Sequence, residues 1–142
     1  MQALFNAFWQ IMLFRQGPDS LPASRLLLAL AAAAYAVIDV MVILALYPRQ
    51  ALVPLLLVDV GFMVVWCAGL LALFGKVARL EQTLAALFGS GALLQLLAFP
   101  TTAWPSLGIP LELPMGFRVL VSLVILLWSV AVFGHIFARA LS

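Results

Sequence analysis

The sequence predicts an all-α integral membrane protein, a four-helix bundle preceded by an N-terminal interfacial amphipathic helix. Three observations carry this. Of the 142 residues, 67% are hydrophobic and only 8% charged, and mean hydropathy is +1.25. Seven basic and five acidic residues cannot build the polar shell that a soluble domain needs. The apolar residues fall into four runs, each near the ~20 residues that cross a hydrocarbon core of ~30 Å. The breaks between them hold turn residues. One domain is expected over 1–142. A net charge of +2, dispersed along the chain, argues against nucleic acid as a partner.

The opening "MQALFNAFWQIMLFR" lacks the basic start and small-residue exit of a cleaved signal peptide. It is also too short to cross a bilayer. Phe5, Phe8, Trp9, Met12 and Leu13 recur at helical spacing, with Gln2, Asn6 and Gln10 as a polar stripe. This pattern predicts an interfacial helix over 3–15 lying on the membrane, with docking against the bundle as the alternative. "RQGPDSLPASR" is the linker that follows. Gly17-Pro18 breaks the helix, Pro22 suits a first helical turn, and Asp19 or Ser20 is expected to cap the next helix.

Membrane helices are predicted at about 25–47, 51–75, 80–99 and 115–140. "YPRQ" closes the first hairpin, and "GKVAR" joins the second and third spans. "PTTAWPSLGIPLELP" joins the last two. Leu, Ile and Trp104 suit an interfacial loop, and a cap over the polar residues below is the other reading. Arg15, Arg25, Lys76, Arg79 and Arg139 fall on one side, Arg49 and Arg118 on the other. Basic residues concentrate in cytoplasmic loops. The expectation is a multi-pass protein of the bacterial inner membrane with both termini cytoplasmic.

Asp39 and Asp59 each stand ten positions from Arg49, so an antiparallel hairpin places them level, roughly 12 Å inside their spans. An acid at such depth costs roughly 2.5–3.5 kcal/mol on insertion scales, so both should turn inward. Gln95, Arg118 and Ser122 fall at similar depth. One intramembrane polar cluster of Asp39, Asp59, Gln95, Arg118 and Ser122 is expected. Two acids and one Arg do not balance. One carboxyl is therefore expected to hold a proton while Arg118 compensates the other. Pro54, a turn before Asp59, is expected to kink its helix.

Ala85, Gly89 and Ser90 allow close helix packing, within the bundle or at a homodimer seam. His135 is read as a packing or interfacial residue, and Cys67 as a small core residue. One Cys and one His exclude an intrachain disulfide and leave no basis for a metal or haem site. No cofactor is expected. No Ser-His-Asp arrangement, H-E-x-x-H or nucleotide fingerprint is visible, so catalysis is not expected.

The stretch "RQGPDSLPASRLLL" ahead of four hydrophobic spans resembles small bacterial inner-membrane proteins and, more loosely, the Yip1-like group of four- and five-span proteins. The resemblance implies only a general layout and assigns no functional residues. The function expected is a non-catalytic subunit or scaffold. It would sit in the lipid bilayer and pack as a homo-oligomer or with a larger membrane partner. The alternative is a proton-coupled small-molecule or ion transporter using Asp39 and Asp59.

Overall fold

The computed structural model describes residues 2–102 and 114–142. These form five helices: α1 (Gln2–Met12), α2 (Arg25–Leu46), α3 (Leu52–Leu73), α4 (Leu80–Thr102) and α5 (Met115–Leu141). Single turns of 3-10 helix at Pro18–Ser20, Arg49–Ala51 and Val77–Arg79 link them. There is no strand among the described residues. Helices α2 to α5, two of them with an adjoining 3-10 turn, are long and apolar enough to cross a membrane. The loop reading around Trp104 and Glu112 falls outside the described residues.

Several local expectations need correction. Ser24, not Asp19 or Ser20, caps α2, its hydroxyl accepting from the Leu27 amide at 3.4 Å. Asp19 and Ser20 belong to their own 3-10 turn, where the Ser20 hydroxyl donates to Gly17 O. Pro22 precedes the helix instead of opening it. Pro54 occupies the third position of α3. The first four helical amides have no partner inside the helix, so proline there removes no hydrogen bond. The cause proposed for a kink at Asp59 is absent. Helix α4 runs past the expected end at 99 and takes in Pro100.

Helix α4 is the axis of the molecule. Residues 83–92 are all buried, around the whole helix circumference. Small side chains make this possible, because they let neighbouring backbones come close on every side. A Cβ on Gly91 would lie 2.8 Å from the Tyr35 ring of α2, and one on Gly89 would collide with the Phe8 ring of α1. Thr83 and Ser90 are fully buried, and their hydroxyls return to Arg79 O at 2.8 Å and Ala86 O at 2.6 Å. Burying these polar groups therefore leaves no unmade hydrogen bond. Helices α2 and α5 flank α4, while α3 and α5 leave most of their own surface exposed.

The amphipathic α1 is docked, not free. Ile11 and Met12 are 0% exposed, and the Trp128 indole of α5 donates to Met12 O at 3.0 Å. Gly89, which receives Phe8, lies nine residues into α4, or ~14 Å along its axis. A helix resting on a membrane surface would not reach that level. The alternative of docking against the bundle is the geometry found. Ala85 and Ser90 are buried inside the same bundle, so with Gly89 they form no open homodimer seam.

Two helices end in the same motif with different residues. After α3, Gly75 has φ +68°, its amide donates to Ala72 O and the Lys76 amide to Leu71 O. After α1, Phe14 has φ +60°, donating to Ile11 O while the Arg15 amide reaches Gln10 O. Both are Schellman closures. Glycine enters the left-handed region freely, whereas a residue with a Cβ does so at a cost of about 1–2 kcal/mol. Phe14 offsets part of this by meeting the His135 ring edge-on at 5.4 Å. At this same end Arg79 donates to the carbonyls of Arg139 and Ala140. A cation there complements the negative end of the α5 dipole.

Gly89→Ala should force Phe8 out of its seat and cost about 1–3 kcal/mol through overpacking. Limited trypsin cleavage at Arg15 is expected to become faster in the variant, and unchanged cleavage would refute the docking role given to Gly89.

Candidate functional site

The polar residues inside the bundle form two linked pairs. The Tyr35 hydroxyl of α2 donates to Asp59 Oδ2 of α3 at 2.5 Å. Gln95 Nε2 of α4 lies 3.3 Å from Asp39 Oδ1 of α2. These bonds tie α3 to α2 and α2 to α4. Tyr35 and Asp39 are one helical turn apart, so α2 presents both from a single buried face. Gly91 allows the Tyr35 ring to lie flat along α4, where it also meets Phe88 at 5.3 Å.

The acids differ in their surroundings. Asp39 is 7% exposed. Its Oδ2 and Oε1 of Gln95 are buried without a hydrogen-bond partner. Unpaired polar atoms of this kind are rare in folded proteins. Asp59 is only half-buried. Together the two acids border a shallow cavity of about 390 Å³ between α2 and α3.

Asp59 also faces a cleft between α3 and α5, floored by α4. One chamber, of about 460 Å³, is bordered by Asp59, Gln95, Ser122 and Ser129. A second, of about 420 Å³, has Asp59 among Phe62, Trp66, Phe133 and Phe137. Tyr35, Asp59 and Phe133 line both chambers, so the carboxylate stands where they meet.

Of the five residues expected to cluster, the structure joins Asp39 to Gln95 and places Ser122 across the chamber from Asp59 and Gln95. Arg118 is elsewhere. Its guanidinium donates to Thr101 O at 3.3 and 3.4 Å, and Ser122 reaches Thr101 Oγ1 at 3.3 Å. The negative end of the α4 dipole attracts this cation. The one ion pair among the described residues is Arg25–Glu81, at the opposite end of the bundle. Arg118 therefore does not neutralise either acid.

Tyr35 is the functional group that sequence reasoning passed over. It shares a helical face with Asp39, but its bond crosses to the other acid, which depends on how far a phenol reaches. His135 lies toward the basic end, with Nε2 3.0 Å from Gln16 O. Cys67 is buried in the apolar core. No group of three or more His, Cys, Asp or Glu side chains suited to a metal occurs among the described residues. Comparison of the chain with protein-family models, curated proteins and solved structures finds no match.

Tyr35→Phe removes the Asp59 hydrogen bond with almost no change in volume. It should lower stability by about 1–3 kcal/mol, as expected when a part-buried acceptor loses its donor. Thermal unfolding of the detergent-solubilised protein would register this as a lower midpoint, and an unaltered midpoint would contradict it.

Proposed function

We propose that this chain is an integral membrane protein acting as a non-catalytic subunit or scaffold. Its acid-bearing cleft would open sideways toward a second membrane component. The observation that carries this reading is Asp59, an ionisable group half-exposed in a cleft between two apolar helices, with no cation at ion-pair distance among the described residues. Ionisable groups inside a bilayer are costly and usually find a partner. A component seated against α3 and α5 would provide one. A bacterial inner membrane, with both termini cytoplasmic, fits the excess of basic residues at one end of the bundle.

Proton-coupled transport is the second reading, favoured by the cavity that Asp39 and Asp59 share. A transport path also needs polar groups continuing toward the basic end. There the space around α4 is filled by Leu84, Leu87, Phe88 and Ile136, all buried. This favours the assembly role.

Purified protein reconstituted in vesicles should show no proton flux driven by a pH gradient. In native membranes Asp59→Asn should shift the protein to a smaller assembly on native electrophoresis. Flux in wild-type vesicles that disappears in the Asp39→Asn, Asp59→Asn double variant would instead establish transport.

A further inference from the structure

We infer that the cleft beside Asp59 is a binding site for a lipophilic organic cation, a compact ion whose charge is surrounded by apolar groups. The inference uses the same cleft as the assembly reading but stands without it. Sign comes first. The ionisable acid in the aromatic chamber is Asp59. Its hydrogen-bond partner, Tyr35, is a neutral donor. The carboxyl is thus oriented by a phenol, and among the described residues no basic side chain stands at ion-pair distance from it. A cationic occupant is the complement.

The walls determine which kind of cation. Phe62, Trp66, Phe133 and Phe137 line the chamber with Asp59, and Phe62 and Trp66 stack at 5.8 Å with ring planes 17° apart. Aromatic faces carry partial negative charge and attract cations, most strongly where water is excluded. Inorganic ions of the calcium and magnesium type need several oxygen ligands. Among the described residues of the aromatic chamber, Asp59 and Tyr35 supply the only side-chain oxygens. Apolar substituents against the rings suit the remaining surface.

Size agrees. The chambers, about 460 and 420 Å³, fall in the range of small-molecule sites. Access would be sideways between α3 and α5, as a ligand partitioned into lipid requires.

The probe is radiolabelled tetraphenylphosphonium, equilibrated with the protein in phosphatidylcholine nanodiscs. Binding should be saturable. Asp59→Asn should weaken it about tenfold or more, the scale of one lost charge contact. Trp66→Ala should weaken it at least about threefold, as loss of a cation–π face implies. Asp59→Glu should restore most of the affinity, and Glu81→Gln should leave it unchanged. Tetraphenylborate, similar in shape and opposite in charge, should not compete. Far-UV circular dichroism matching wild type would verify that each variant is folded.

No saturable binding to wild type would overturn the inference. So would a folded Asp59→Asn that binds as tightly as wild type, or equal competition by the borate, which would mean an apolar pocket without charge selection. If the phosphonium does not bind while Asp59→Asn still shrinks the native assembly, the inference fails and the assembly reading survives. Binding without any change in assembly gives the reverse.

Discussion

The molecule depends on the lack of side-chain bulk at two positions of α4. Gly89 and Gly91 let Phe8 and Tyr35 lie against the helix backbone. Dispersion contacts are individually weak and fall off steeply with distance. A helix wrapped this closely gains more of them than one held off by methyl groups. If the bundle sits in lipid, as proposed, apolar surface gains little by leaving its surroundings, and close packing supplies much of the association. The position of Tyr35, and through it the hydrogen bond to Asp59, follows from the same missing atoms.

Polar groups are arranged by a related constraint. A polar group buried away from water must find a partner inside the protein. Hydroxyls of Thr83 and Ser90 return to their own helix. Arg79 and Arg118 go to the carbonyl ends of α5 and α4. Among the described residues this leaves Asp39 and Gln95 with buried atoms that the fold does not satisfy, next to the half-buried Asp59. They lie beside the cavities, and for that reason the functional reading rests on them.

The four long helices were legible because length and hydropathy determine them without knowledge of contacts. The placing of Asp39 near Gln95 was legible as well, since an antiparallel hairpin sets depth by counting residues. Depth does not set azimuth. Arg118 turns its side chain to the end of α4, where it donates to Thr101 O and meets the negative end of the helix dipole. The reach of Tyr35 to Asp59 depends on a crossing between helices that spacing alone does not encode. Ser24 capping α2 was obscured because Asp19 and Ser20 are equally good capping residues, and only the 3-10 turn decides among them. The docking of α1 was underdetermined because one apolar stripe suits a lipid surface and a protein groove alike.

That last ambiguity bears on the order of assembly. The bond from Trp128 to Met12 joins residues 116 apart in sequence. During synthesis α1 emerges before its seat exists, since α4 and α5 follow it in the chain. Contacts between such distant positions form late. Meanwhile the segment exposes Phe8, Ile11 and Met12 on one flank and Asn6 on another, a pattern suited to waiting at a water–lipid boundary. The same apolar flank would suit both places, and beside Gly89 it is covered by protein.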